Sequence, residues 1–349
     1  MKAKIIITML LAVVASSYAL CWASDTAVNG IWYDFDNSTM TASVTYYGNQ
    51  ANRYTDRYIN SVSIPSSVVF EGKEYSVTEI GDYAFYLCKR LKHVSIPNSV
   101  TKINFCAFCG CDSLTSIDFS IGLTSVGEAS FAGCGISSLI LPDGVTCIGN
   151  SAFGECDHLK TVIIPNSVTT IESVAFRECD SLQSVMLSEN LAAIGHQAFC
   201  HCPMLTSITI PNSVTTIEYG AFWLCYSLRY LSLGAGIKTI GEKAFAECQA
   251  LAEIHAHMPS PPAIDQSVFV NCGALCDIDC YVPKKSLESY AHTDIWKIFH
   301  LVACTSEDGD GVTDTYSDIS DKTYKHMQNG HLLILRDGKT YTAQGQEVR

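Results

Sequence analysis

Positive charge is scarce in this chain. Its 349 residues carry 22 Lys and Arg against 35 Asp and Glu, a net charge of -13, and only 16% of the sequence is charged. A surface that follows nucleic-acid phosphates needs clustered cations, so this balance argues against a nucleic-acid partner. The usual catalytic signatures are missing too. There is no Gly-x-Ser-x-Gly elbow, no His-Glu-x-x-His pair and no glycine-rich phosphate loop, and the histidines are scattered. The expectation is a chain that is not an enzyme and needs no cofactor.

Long apolar runs are also lacking. The stretch Ile5 to Val14 is short of the roughly 20 residues that a membrane-spanning helix needs, so no transmembrane span is expected in the mature chain. Lys2 and Lys4 precede that stretch and small residues follow it, the pattern of an export signal over 1–23 with cleavage after Ala19 or Ala23. Cys21 lies where a lipid anchor would be attached, but Leu20 occupies the preceding position, where lipidation wants a small residue.

Against these absences stands a strict period. Phe85, Phe108, Phe131, Phe153, Phe176, Phe199, Phe222, Phe245 and Phe269 follow one another at steps of 23, 23, 22, 23, 23, 23, 23 and 24 residues. Three residues after each comes a cysteine: Cys88, Cys111, Cys134, Cys156, Cys179, Cys202, Cys225, Cys248 and Cys272. A period of this size marks a solenoid, in which each unit buries its apolar face only against its neighbours. The Leu-x-x-Val-x-Ile stretch alternates and reads as a strand, and proline ends it for want of an amide hydrogen. Val-x-x-Ile reads as a second short extended segment. Ala-Phe-x-x-Cys has near-helical spacing and predicts one helical turn per coil. Ser188 and Gly234 stand where neighbouring coils have proline, so those coils are expected to turn differently.

Seventeen cysteines in an exported chain would ordinarily suggest disulfides. Here the nine equivalent ones should stack about 4.8 Å apart, wider than the roughly 3.8 Å between the β-carbons of a disulfide. They are expected to be buried thiols that fill space, and such a ladder fits a reducing or anaerobic setting. Cys106, Cys109 and Cys111, and likewise His196, Cys200, His201 and Cys202, carry zinc-type ligands. The repeat register, however, turns Cys111 and Cys202 into the core and Cys109 and Cys200 elsewhere, so four ligands should not converge and no metal is expected. Asp308-x-Asp310-Gly311 lacks the remaining ligands of a calcium loop and reads as part of an acidic linker.

The unit Ile210-Pro211-Asn212-Ser213-Val214-Thr215-Thr216-Ile217-Glu218, followed by Ala221-Phe222, Cys225 and Leu228, resembles the BspA-like leucine-rich repeats of bacterial surface proteins. Gly30-Ile31-Trp32-Tyr33 and Gly72 to Gly81 look like that family's opening segment, and Tyr281-Val282-Pro283 with Trp296-Lys297-Ile298-Phe299 like its closing one. The resemblance implies a leucine-rich-repeat solenoid of short parallel strands behind a β-rich N-terminal cap, and a role in surface adhesion or host interaction. It carries over no catalytic residue. The organisation read from the chain is a signal peptide (1–23), a β cap (24–62) that Trp32 and Phe35 would close over the first coil, the solenoid (63–276), a closing segment (277–304), and an acidic linker with a C-terminal β-hairpin tail (305–349).

The outward strand positions offer the one candidate working surface. Lys92 and His93, and Arg229 and Tyr230, are its candidate binding residues, Arg and Tyr being over-represented in binding hot spots. The expected partner is a protein or glycan outside the cell, of the extracellular-matrix or host-surface kind. The alternative is a ligand-free structural spacer or envelope-assembly protein, about 40 Å long from eight steps of about 4.8 Å.

Overall fold

The computed structural model describes residues 27–46 and 58–304 in full and the backbone of three tail strands, 324–328, 331–336 and 339–342. The proposed signal peptide, Cys21, the acidic linker and the Asp337-Gly338 turn lie outside the described residues.

From Asn60 onward the chain winds as a parallel solenoid. Each coil contributes one outer strand, as in Leu91–Ser95, Ser116–Asp118, Thr161–Ile163, Ser207–Ile210 and Tyr230–Leu233. It then adds a two-residue strand at Val-x-x-Ile, as in Lys102–Ile103, Thr170–Ile171 and Thr216–Ile217. The register advances by one repeat per coil: Ile171 pairs with Ile148 and Ile194, and Ile217 with Ile194 and Ile240. Three antiparallel or parallel strands at the front, Ile31–Asp36, Thr41–Thr45 and Lys73–Ile80, continue the sheet of two-residue strands without a break.

Identical side chains therefore stack. Successive rings from Phe85 to Phe269 lie 4.9 to 5.5 Å apart and within 10° of parallel. The stack is closed at both ends by aromatic side chains. Tyr58 sits 4.7 Å from Phe85, and Phe299 meets Phe269 edge-on at 5.2 Å. Phe35 packs on Phe70 and Tyr75 at 4.6 and 4.8 Å. At the far end Trp296 is fully buried with its Nε1 donating to the Pro262 carbonyl, and Tyr290 Oη donates to Met258.

Ala-Phe-x-x-Cys is a pair of linked tight turns rather than the expected helical turn. Residues two before and two after most of the ladder phenylalanines adopt left-handed backbone, for example Tyr83 and Leu87 at φ 57° and 56°, and Val174 and Glu178 at 51° and 59°. A helix is ruled out because its amides point elsewhere. Ala84, Tyr86 and Cys88 donate three residues back within the coil, whereas Tyr83, Phe85 and Leu87 donate to Phe105, Ala107 and Cys109 of the next coil. Left-handed backbone costs an L-residue roughly 1–2 kcal/mol, and the inter-coil bonds offset it. Spacing alone does not separate the two, since both conformations bring residues three apart together.

The proline-free coils also have an explanation. Asn166 and Asn212, which follow proline in the preceding coils, accept the backbone N–H of Glu189 and Ala235, one residue beyond Ser188 and Gly234. A β-carbon on Gly234 would sit 2.4 Å from the Pro211 carbonyl oxygen, so no larger residue fits there. In the tail, 331–336 and 339–342 form the expected hairpin, and 324–328 adds a third antiparallel strand on its other edge.

Two substitutions test this packing. Phe176→Ala should cost roughly 3–5 kcal/mol by leaving a ring-sized void in mid-array, and should open those coils to protease; unchanged melting and proteolysis would contradict the stacking. Val174→Gly should raise stability by about 1 kcal/mol, because a β-branched residue is poorly suited to left-handed backbone and glycine is not. A lower melting temperature for that variant would show that the turn is not strained.

Candidate functional site

The outer strands expose every second side chain to one face, and the candidate residues all lie along it, in two groups rather than one. Lys92 and His93 belong to the Leu91–Ser95 strand; Tyr230 opens the Tyr230–Leu233 strand and Arg229 precedes it. Six strand steps of about 4.8 Å separate the groups, or roughly 29 Å. Lys92 and Arg229 are exposed and His93 and Tyr230 half-buried.

His93 is held between two residues of the next strand. Its Nδ1 lies 2.9 Å from Ser116 Oγ and its Nε2 3.4 Å from Asp118 Oδ2. Ser116, His93 and Asp118 are thus the residue types of a hydrolytic triad within bonding reach. The setting differs from one. The trio lies on the open face of a sheet, where strand amides run in the sheet plane toward neighbouring strands instead of converging above the serine to stabilise an oxyanion. The arrangement does the ordinary work of a cross-strand polar contact.

The Tyr230 group is larger than the sequence suggested. Strand register aligns Tyr230 with Glu253, Glu253 with Asp279 and Asp279 with His300. A second row aligns Ser232, His255 and Tyr281. The rings of Tyr230 and His255 lie 5.1 Å apart and those of His255 and Tyr281 4.6 Å. Glu253 Oε1 is 2.6 Å from His255 Nε2, and Asp279 Oδ1 is 2.7 Å from His300 Nδ1. Burial, with the carboxylates of Asp279 and Glu253 alongside, pushes the Tyr281 phenol upward, so its hydroxyl keeps its proton and can donate. The result is an aromatic row edged by acid–imidazole pairs. Its outer members come after the last regular coil, where the consensus spacing fades. The alternation Glu253-Ile254-His255-Ala256 and Asp279-Cys280-Tyr281-Val282 was the available signal.

A smaller aromatic cluster lies on the turn edge. His196 stacks on Tyr219 at 5.1 Å, and Lys243 Nζ stands 5.1 Å from the Trp223 ring centroid.

The cysteine ladder does more than fill space. From Cys111 to Cys272 each Sγ lies 3.0 to 3.4 Å from the carbonyl oxygen of the phenylalanine one coil earlier, to which the thiol donates. Burial pushes several of these thiols upward: Cys156 and Cys225 are raised to about 12, and Cys179 and Cys202 rise well above the ordinary thiol value, whereas the neighbouring Cys248 thiol holds Cys272 below it. A thiol that keeps its proton is neither a nucleophile nor a metal ligand. Cys111 and Cys202 face the core as expected, Cys106 and Cys109 form a separate cluster with Tyr86 and Ala129, and His196 is engaged by Tyr219. Among the described residues no group of three His, Cys, Asp or Glu is placed to hold a metal ion, and no helix is long and apolar enough to cross a membrane.

Stacked parallel coils of this length, with one outer strand and one tight-turn segment each, define a leucine-rich-repeat solenoid. The family model for the BspA type leucine rich repeat region matches residues 78–206 and 192–305, in six copies, and the chain belongs to that family. Among solved structures it is similar to a leucine-rich-repeat protein of T. pallidum, at 26% identity over 65% of this chain and 91% of that one, with a TM-score of 0.48. It is also similar to a leucine-rich-repeat protein of Bacteroides ovatus, at 20% identity, 80% and 100% coverage and a TM-score of 0.35. A third is the pneumococcal vaccine antigen PcpA, at 18% identity, 80% and 98% coverage and a TM-score of 0.36. No curated protein matches the chain.

The ladder chemistry sets a pH response. A thiol raised in the folded state binds its proton more tightly there than when unfolded. Its stabilising contribution is complete below about pH 9, where unfolded thiols begin to ionise, and is lost as pH rises toward about 12. Denaturant unfolding between pH 8 and 11 should show a falling stability, and the fall should be shallower in a Cys156→Ala, Cys225→Ala variant. Equal slopes would remove the thiols as its cause.

Proposed function

We propose that this chain is an exported, non-catalytic repeat protein that binds a protein or glycan at the cell surface through the outer strand face, in adhesion or host interaction. The observation that carries this reading is the Tyr230–His255–Tyr281 row with Glu253 and Asp279 beside it, a concentration of aromatic and charged groups on an otherwise Ser- and Thr-rich sheet. Tyrosines held by packing give up little entropy on binding, and neighbouring carboxylates accept hydrogen bonds from sugar hydroxyls or basic side chains. Lys2, Lys4 and the Ile5 to Val14 run support export. The family's surface proteins supply the setting, and a long solenoid face is a common docking surface in repeat proteins.

The test is a binding screen of the intact solenoid against extracellular-matrix proteins and glycans, repeated with Arg229→Ala, Tyr230→Ala and Tyr281→Ala. Binding that weakens tenfold or more on removing Tyr230 or Tyr281 supports the assignment. A hit that none of these substitutions alters would move the binding face elsewhere. No hit, with a phenotype that follows coil number and not face residues, would favour the spacer role, which the unbroken ring stack also suits.

A further inference from the structure

The nine ladder cysteines follow the repeat, whereas Cys106 and Cys109 do not. They stand two before and one after Phe108, and the corresponding positions around other phenylalanines hold Ala129 and Ala132, Ser151 and Gly154, Val174 and Arg177, or Gln197 and Cys200. Only this coil has cysteine at both places, so the period does not account for the pair.

Their geometry differs from the ladder's in every respect that matters for bonding. Cys109 N donates to the Cys106 carbonyl at 3.2 Å, closing a tight turn around Ala107 and Phe108. Such a turn brings its end α-carbons within about 7 Å, and disulfides span α-carbons about 4.4–6.8 Å apart. Both side chains enter the same small cluster outside the main core, with Tyr86 and Ala129 and bordered by Leu87 and Phe105. The adjoining Cys109 thiol, together with burial, pushes the Cys106 thiol upward, so Cys109 is the partner placed to attack first. Each residue keeps 6% of its surface, against 0% for Cys111 in the same turn, so the pair is buried yet not fully sealed as Cys111 is.

We propose that Cys106 and Cys109 form a reversible dithiol–disulfide pair, oxidised by a low-molecular-weight disulfide, that staples the turn of the Phe108 coil. In the first step Cys109, as thiolate, attacks a sulfur of the oxidant; a mixed disulfide forms and one small thiol leaves. In the second step the other cysteine loses its proton and attacks the protein sulfur of that mixed disulfide, forming the Cys106–Cys109 bond and releasing the second small thiol. Two electrons and two protons pass from the protein to the oxidant. A ring closed over so few residues is strained, which makes the bond readily reducible. The ladder thiols, spaced by the strand repeat and donating to phenylalanine carbonyls, stay reduced.

The full-length protein, purified under reductant, is equilibrated with oxidised glutathione. Remaining thiols are then blocked with one alkylating reagent under denaturing conditions, and the disulfides are reduced and labelled with a second. The expected result is an intact mass lower by two hydrogens, with the second label on Cys106 and Cys109 together. The mass loss should vanish in Cys106→Ser, and its reversal by reduced glutathione should regenerate both thiols. The proposal is overturned if both cysteines carry the first label, if the second label falls on ladder cysteines, or if the mass loss persists in Cys106→Ser.

Discussion

Every coil of this protein leaves half of its turn amides for the next coil to satisfy. Tyr83, Phe85 and Leu87 donate across to Phe105, Ala107 and Cys109, and the pattern repeats along the array. A buried amide without a partner costs more than a made hydrogen bond returns, so a coil is not stable alone. The same constraint forces identical residues into register. Parallel phenyl rings, inward thiols and paired Val-x-x-Ile strands all follow from the fixed offset that those bonds impose. It also explains why the left-handed residues are tolerated: their cost is met by bonds that no right-handed turn would make. The ends need something else, and Tyr58 at one end and Trp296 with Phe299 at the other supply aromatic lids.

Function in such a body is confined to what faces outward. The core is committed to stacking, and its ladder thiols from Cys111 to Cys272 are bound to the phenylalanine carbonyls of the preceding coil. In the Tyr230, His255 and Tyr281 row, stacking coils bring into one cluster side chains that are 25 and 26 residues apart in sequence. The Ser116, His93 and Asp118 trio is a second case, assembled by the register of adjacent outer strands.

Much of the fold was legible because repetition removes ambiguity. A single Phe-x-x-Cys would say little, but nine at nearly constant spacing leave a solenoid as the one arrangement that buries them all. The strand ended by proline, the inward thiols and the hairpin at 331–342 could be read in the same way. The turn conformation could not, because three-residue spacing is common to helices and tight turns and only inter-coil bonding separates them. Nor could the lid: Tyr58 lies in no repeat, and Trp32 and Phe35 looked equally suited to cover the first ring. Of the candidate surface, Lys92, His93, Arg229 and Tyr230 were visible as outward positions, but their partners in the final strands were not, since the period had faded by Glu253.

The sequence by itself determined the architecture and its core, since a period is a property of the chain and each apolar position has only its equivalents to pack against. It also determined that the surface would be acidic, with few cations to offer a phosphate. Only the tertiary structure decided which distant residues meet. The tyrosine–histidine row and the choice of lids depend on side-chain direction and on what the neighbouring coil presents, and neither is periodic. Register carries repeated information faithfully; the individual departures from the repeat acquire meaning only once the coils are stacked.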